Sequence, residues 1–158
     1  MDVRALDDGD RDWVERLIVE RWGAPVVLGR GRSWTPVDLP GFVAFDGDRC
    51  VGLVTYELDG EACEIVTIDA LEEGRGIGTA LLGVVEETAS AAGCDCVQLV
   101  TTNNNLRALA FYQKRRFRLV ALVPGAVDEA RKIKASIPEV DARGLPIHDE
   151  LHLELQLG

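Results

Sequence analysis

The sequence predicts a mixed α/β protein in which helices flank one sheet. Three consecutive β-type segments, joined by Asp-Gly turns, occupy the first half of the chain. Helical and β-type segments then alternate toward the C-terminal end. Hairpins give antiparallel neighbours and crossovers give parallel ones, so we expect both kinds of pairing in the same sheet. The 158 residues fit a single domain covering 1–158.

The first half begins with a short strand over 3–6. Apolar residues then recur at helical spacing and predict a helix over about 10–21. The following segment, 29–40, is rich in Gly and Pro and is expected to be a loop. Asp-Gly between apolar runs is the strongest short-range hairpin signal, and it joins three predicted strands into a meander: 42–45, 51–58 and 62–70.

The second half alternates between the two periodicities. Apolar residues form a helical stripe over 79–92, which ends at Gly93. Strands are expected over 97–100 and 117–123, on either side of a helix over 104–114. A late helix over 127–136 and a closing strand over 151–157, where leucines alternate with polar residues, complete the predicted elements.

Composition excludes several classes of protein. A formal net charge of −10 repels phosphate backbones, so we expect no nucleic-acid partner. The same charge suits a cationic amine substrate, but it also suits solubility alone. Four irregularly spaced cysteines indicate neither a disulfide framework nor a zinc site, and we expect no metal. There is no signal peptide and no membrane-spanning apolar run, so we expect no membrane association and a cytoplasmic location.

The most informative segment is the glycine-rich turn Glu73-Gly74-Arg75-Gly76-Ile77-Gly78, between a β-branched strand and a helix. Free N–H groups and the helix dipole favour an anion there, and glycines let a phosphate approach the backbone. An ordinary helix-capping turn explains the segment equally well. A Walker loop needs a Lys that is absent before Thr79, and the glycine spacing does not fit the dinucleotide fingerprint.

A second segment distinguishes between these readings. Downstream stand Asn105, Ala108, Phe111, Tyr112 and Phe117. Together with Gly76-Ile77-Gly78 and the following Thr79-Ala80-Leu81-Leu82, this pattern resembles the GNAT-type N-acetyltransferases. The resemblance implies the GNAT acyl-CoA N-acyltransferase fold, a central, mostly antiparallel sheet with a splayed strand pair, flanked by helices.

This sequence departs from the family pattern at two positions. Glu73 replaces the usual Gln or Arg, and Arg116 replaces the usual Gly before Phe117. An acid at position 73 cannot donate to phosphate, so backbone amides and Arg75 would have to suffice.

The resemblance implies transfer of an acetyl group from acetyl-CoA, as co-substrate, to an amine of a small molecule or peptide. Homodimers are frequent in the family and are possible here. The implied coenzyme A-binding residues are Val66, Ile68, Glu73, Gly74, Arg75, Gly76, Ile77, Gly78, Thr79, Asn105 and Ala108. Backbone groups of Val66 and Ile68 would pair with pantetheine, and an N–H there would stabilise the oxyanion.

Two residues are candidates for proton transfer. Within the motif, Tyr112 would be the general acid that protonates the leaving thiolate, although a lone tyrosine here would only be core packing. Glu64 lies in an otherwise apolar strand and is either the base that deprotonates the amine or a solvent-facing edge residue. Glu61 and Asp69 are weaker candidates for the base.

The sequence gives the least information about which acceptor is bound. Trp22 and Trp34 would wall an apolar acceptor pocket or belong to the core, and His148 would line the site or begin the last strand. The rival to an enzyme is a catalytically silent acyl-CoA-binding sensor or regulatory module. A nucleotide-binding regulator is a third reading.

Overall fold

The computed structural model describes residues 1–158. It contains four α-helices: α1 (Arg11–Trp22), α2 (Ile77–Ala91), α3 (Leu106–Lys114) and α4 (Ala126–Ile133). It contains nine strands: β1 (Asp2–Ala5), β2 (Val27–Gly29), β3 (Arg32–Trp34), β4 (Gly41–Asp46), β5 (Arg49–Asp59), β6 (Ala62–Ala70), β7 (Cys96–Thr102), β8 (Arg118–Val123) and β9 (Glu150–Gln156). No helix is long and apolar enough to cross a membrane.

Seven strands form one sheet in the order β1-β4-β5-β6-β7-β9-β8, and β2 pairs with β3 in a separate hairpin. Strands β4, β5 and β6 are the predicted antiparallel meander. The only parallel pair is β6 with β7, which α2 connects. The last strand, β9, inserts between β7 and β8 and is antiparallel to both. The predicted mixed α/β sheet, mostly antiparallel and flanked by helices, is therefore confirmed.

Helices cover both faces of the sheet. Leu53 belongs to a cluster with Val14 and Ile18 of α1, whereas the next residue, Val54, belongs to the large cluster that contains α2 and Tyr112 of α3. Successive side chains of a strand point to opposite faces, so α1 lies across the sheet from α2 and α3. The large cluster contains 18 buried residues and forms the main core.

The prediction of a loop over 29–40 was wrong. This segment contains the β2–β3 hairpin, with Arg30 and Gly31 at its turn, and a 3-10 turn at Pro36–Asp38. Strands of three residues are too short to show a period-2 pattern in sequence. The hairpin is held by packing instead, because Val27 and Trp34 form a buried cluster with Val66 of β6.

Other differences are limited to element ends. Helix α2 begins at Ile77, two residues before the predicted start, so the glycine-rich turn runs directly into it. Helix α4 ends at Ile133 rather than Ser136, and Phe117 is a buried residue just before β8.

Candidate active site

Strands β6 and β7 separate after a short parallel contact. Only Ala62–Glu64 pair with Cys96–Gln98, although both strands continue for several residues beyond. At this point Val66 aligns with no residue of β5, because Thr55 pairs with Thr67 and Tyr56 with Ile65. A bulge of this kind turns the local backbone away from the regular ladder. The sheet therefore has a V-shaped opening, with Glu64 and Gln98 at its vertex.

The glycine-rich turn leads from β6 into the N-terminus of α2. Gly76 is the N-cap residue and has a φ of 72°, a conformation that glycine adopts without steric cost. No side chain caps this helix, so its first N–H groups have no partner within the helix. A Cβ at Gly74 or Gly76 would meet no atom within 4 Å, which leaves the approach to the turn open. Unpaired amides on an open glycine turn fit a pyrophosphate.

A cleft of about 530 Å³, the coenzyme-type cleft, extends from this turn along α3 and the end of β6. It brings together most of the predicted coenzyme-binding residues and Tyr112: Ile68, Glu73, Gly74, Arg75, Gly76, Ile77, Gly78, Thr79, Asn105, Ala108 and Tyr112. Val66 does not line it. Seven further residues do, which no sequence motif had assigned to coenzyme binding: Arg21, Asp69, Ala70, Glu72, Arg107, Phe111 and Arg115.

Two of the four arginines that line the cleft are paired with carboxylates. Arg75 contacts Asp46 at 2.7 Å and Glu72 at 2.6 Å. Arg107 donates to Glu73, and this guanidinium lowers the pKa of the Glu73 carboxyl. The acidic residue at the motif's first position therefore lies in an exposed ion pair with Arg107 at the mouth of the cleft.

Helix α3 forms the wall opposite the turn. The side chain of Asn105 caps this helix by accepting from the N–H of Ala108 at 3.3 Å. Arg115 stacks on the ring of Phe111, 3.7 Å from its centroid, and donates through Nε to the Thr79 hydroxyl at 2.8 Å. The wall and the turn are in close contact, because a Cβ on Gly78 would lie 2.8 Å from the Phe111 ring.

Tyr112 lies in the wall of the cleft and in the main core at once. Its ring packs edge-to-face against Phe111 and Phe117, with centroid distances of 5.3 and 5.5 Å. Burial, and secondarily the nearby Asp69 carboxylate, raises the pKa of the Tyr112 hydroxyl above its usual value. The phenol therefore keeps its proton throughout the neutral range.

Glu64 is buried and lies outside this cleft, in contact with the hairpin. Its Oε1 accepts from Arg30 Nε at 2.5 Å and from Gln98 Nε2 at 2.9 Å. Burial raises the pKa of the Glu64 carboxyl, although the Arg30 guanidinium opposes this shift. Glu64 Oε2 and Arg30 Nη2 are both buried without a hydrogen-bond partner. The edge-residue reading of Glu64 does not fit this environment, since the strand is internal.

Two residues of β9 complete the polar cluster. Arg30 Nη1 lies 3.2 Å from Nδ1 of His152, and His152 Nε2 lies 2.7 Å from Glu150 Oε1. Arginine only donates, so Nδ1 is the acceptor and the proton of a neutral imidazole belongs on Nε2. No local sequence pattern marks Arg30, Gln98 or His152 as site residues, because only the tertiary fold brings them to Glu64.

The predicted acceptor-binding residues are not together. Trp22 donates from Nε1 to Asp69 at 3.1 Å and so touches the edge of the coenzyme-type cleft. Trp34 is buried with Val27 and Val66 under the hairpin. His148 lies before β9, beside Asp149, and lines neither the cleft nor the Glu64 cluster. No group of three or more His, Cys, Asp or Glu side chains is arranged so that it could hold a metal ion.

Comparison with known proteins agrees with this architecture. Residues 12–117 match the sequence model of the acetyltransferase (GNAT) family. An uncharacterised protein of Bacillus subtilis strain 168, YdhI, is 43% identical over 136 residues, which is 85% of each chain.

Two solved structures share the fold. The IAA acetyltransferase from Bacillus cereus ATCC 14579 superposes with a TM-score of 0.75, at 23% identity and 99% coverage of both chains. A GNAT family acetyltransferase from Elizabethkingia anophelis with acetyl-CoA bound gives 0.69, at 20% identity, over 99% of this chain and 97% of the other.

The family model gives the class of protein, an acetyltransferase, and the split sheet and the cleft at the α2 N-terminus agree with it. The chain belongs to the GNAT acetyltransferase family.

Proposed function

We propose that this protein transfers an acetyl group from acetyl-CoA to a primary amine of a small molecule or peptide, within one catalytic domain over 1–158. The observation that carries the proposal is the V-shaped opening at Glu64 and Gln98. The coenzyme-type cleft with Tyr112 lies on one side of it, and the carboxylate of Glu64 on the other. An acid and a base on opposite sides of a gap suit direct attack of an amine on a thioester.

Coenzyme A would be held mainly by the glycine-rich turn. The backbone amides from Gly74 to Thr79 would bind the pyrophosphate, and Arg115, which has no carboxylate partner, would supply positive charge beside it. Asn105 and Ala108 would contact the pantetheine arm along α3. Acetyl-CoA supplies the activated acetyl carbonyl, and the other tasks belong to the protein.

Tyr112 is the proposed general acid. When the C–S bond breaks, a proton from the Tyr112 hydroxyl neutralises the departing thiolate. The proton that this role requires is present at neutral pH, because burial keeps the pKa of the phenol above its usual value. Both ring contacts hold the side chain in place at the cleft wall.

Glu64 is the proposed general base, which removes a proton from the amine as its nitrogen attacks the acetyl carbon. Its unpartnered Oε2 is the atom suited to receive that proton. The backbone N–H of Val66, in the bulge two residues further along β6, is the proposed donor to the oxyanion. Ile68 would pair with pantetheine through its backbone.

A second candidate function is a catalytically silent acyl-CoA sensor. Turnover separates the two: release of free thiol should depend on both acetyl-CoA and an amine. Thermal shift provides the binding readout, because coenzyme A should stabilise the fold whereas ATP and NAD should not. A shift without turnover on any amine favours the sensor, and no shift at saturating coenzyme A contradicts both.

A homodimer formed through β8 is also part of the proposal. β8 is the outer strand of the sheet, and its apolar side chains are exposed on both faces, among them Leu119, Val120 and Leu122 at 49%, 51% and 55%. An edge strand leaves backbone groups unpaired, and a two-fold axis lets it pair with its own copy. The cytoplasmic location stays a prediction, as do the acceptor roles of Trp22, Trp34 and His148.

A further inference from the structure

A second cleft lies on the hairpin side of the sheet. It measures about 760 Å³ and is enclosed by the β2–β3 hairpin, helix α4, the end of β8 and the start of β9. It shares no lining residue with the coenzyme-type cleft. Arg30 and His152 form part of its wall, and Glu64 lies just behind Arg30. The cleft therefore ends at the polar cluster that contains the proposed base.

The charged side chains along this cleft are already paired. Arg32 contacts Glu57 at 2.8 Å, outside the cleft, and stacks over the Trp34 ring at 4.7 Å. Lys132 contacts Glu129 at 2.9 Å. Glu150 accepts from His152 and from the backbone N–H of Arg30. No wall residue offers an unpaired cation to an anionic ligand or an unpaired carboxylate to a polycation.

Apart from the Ser33 hydroxyl, the uncommitted surface of the walls is apolar. It consists of Leu28 from the hairpin, Val123 from β8 and three residues of α4: Ala126, Ala130 and Ile133. The Ile133 side chain is 80% exposed, so a ligand in the cleft would remove it from water. An apolar body gains from such walls, whereas a charged one would lose hydration without gaining a partner.

The inner end of the cleft has the opposite character. Arg30 sits at the hairpin turn with a φ of 52°, and its guanidinium is held by Glu64 and His152. The two unpartnered atoms are one donor, Arg30 Nη2, and one acceptor, Glu64 Oε2. Both atoms are buried, so the Arg30 side chain has to shift before a ligand reaches them. A neutral amine could then accept from the first and donate to the second, whereas an ammonium group can only donate.

We propose that the second cleft binds the acceptor, and that the acceptor is a primary amine on an uncharged, apolar body. The amine end faces Arg30 and Glu64, and the apolar body lies between the hairpin and α4. This inference rests on the proposed acetyl transfer and adds the chemical class of the acceptor. It excludes polyamines, aminoglycosides and amino acids with a free carboxylate as good acceptors.

The test is a matched acceptor panel with acetyl-CoA, followed by thiol release. Phenethylamine and hexylamine have apolar bodies, phenylalanine adds a carboxylate to the first, and spermidine adds further charge. We expect kcat/KM for the two apolar amines to exceed that for phenylalanine and spermidine by at least about tenfold. Equal or better turnover of spermidine or phenylalanine overturns the acceptor class while leaving acetyl transfer intact.

A wall variant tests the location. Ile133→Asp should raise KM for phenethylamine by about tenfold or more with little change in kcat or in KM for acetyl-CoA. Val140→Asp is the control, because Val140 is also an exposed aliphatic residue, at 52% against 80% for Ile133, and lines neither cleft. Unchanged kinetics in Ile133→Asp would place the acceptor elsewhere.

Binding can be followed without turnover by intrinsic tryptophan fluorescence, because Trp34, one of three tryptophans, packs beneath Arg32 at the cleft wall. We expect phenethylamine to change the fluorescence of the wild-type protein and spermidine to leave it unchanged. Saturable binding of phenethylamine without acetylation would refute the proposed transfer but keep the cleft. Absence of binding, together with turnover of charged amines, would refute the cleft alone.

Discussion

Gln98 donates a hydrogen bond to Glu64 at 2.9 Å across the last residue pair that joins β6 to β7. The contact closes the vertex of the split sheet from the hairpin side. It also keeps Oε1 of Glu64 occupied, so that Oε2 is the atom free to accept a proton. A single side-chain pair thus connects the geometry of the sheet to the proposed chemistry.

Replacing the carboxylate without changing its size tests the base. Glu64→Gln should lower kcat/KM by roughly 10² to 10⁴, the usual range for loss of a general base. Coenzyme A should still raise the melting temperature, because Glu64 does not line the coenzyme-type cleft. Glu61→Gln, at an exposed position before the same strand, is the control and should keep wild-type turnover. Full activity in Glu64→Gln would show that Glu64 is not the general base.

The same carboxyl predicts a pH effect on stability. Because burial raises the pKa of Glu64 above its usual value, the folded state binds this proton more tightly than the unfolded state does. The stabilisation is present below the unfolded pKa and is lost as the pH rises through the folded pKa. The measurement is urea unfolding of the wild type and of Glu64→Gln. As the pH rises from about 4 toward neutrality, the unfolding free energy of the wild type should fall relative to that of the variant. A pH-independent difference contradicts the raised pKa.

The two tyrosines of the chain form a matched pair for testing the acid. Tyr112→Phe should reduce kcat by about 10² or more while coenzyme A affinity stays within about twofold, because the ring and its contacts with Phe111 and Phe117 remain. Tyr56→Phe removes a hydroxyl from the other buried tyrosine of the main core and should not affect turnover. Single-turnover rates and coenzyme A titrations measure the two effects separately. Equal kcat in both variants would contradict the role of Tyr112 as general acid.

Substitution by alanine should have opposite effects at two glycines of α2. Gly78→Ala puts a Cβ 2.8 Å from the Phe111 ring, so the wall of the cleft must shift and the affinity for coenzyme A should fall by about tenfold. Gly83→Ala meets no atom within 4 Å and should stabilise the helix by up to about 1 kcal/mol without changing affinity. Calorimetric titration with coenzyme A and thermal unfolding provide the two readouts. Tight binding by Gly78→Ala would mean that the turn and α3 move independently.

The outer strand β8 predicts the oligomeric state. Light scattering coupled to size exclusion should give the mass of a dimer for the wild type and of a monomer for Leu122→Lys, because a lysine would be buried at the paired edge. Val140→Lys places the same charge at an exposed aliphatic position away from β8 and should stay dimeric. A wild-type protein of monomer mass contradicts the proposal.

Local sequence patterns were enough to predict much of the fold and many of the residues that line the coenzyme-type cleft. The Asp-Gly turns predicted the meander, and helical periodicity predicted α1, α2 and α3 to within about two residues at most ends, because both signals are written in neighbouring residues. The glycine-rich turn and the segment from Asn105 to Tyr112 pointed to one cleft, and the structure brings them together there. Glu73 illustrates the limit, since its partner Arg107 lies 34 positions away.

The sequence by itself determined the helices, the meander, the turn at the α2 N-terminus and the family resemblance, because each depends on short-range spacing. Only the tertiary structure decided that β9 inserts between β7 and β8, which carries His152 to Arg30. It also decided that the segment around Arg30 is a hairpin above Glu64 rather than a loop. The physical reason is that these contacts join residues 34 and 122 positions apart. Such contacts are stabilised by the burial of a few side chains, such as Trp34, and they leave no periodic pattern in the sequence.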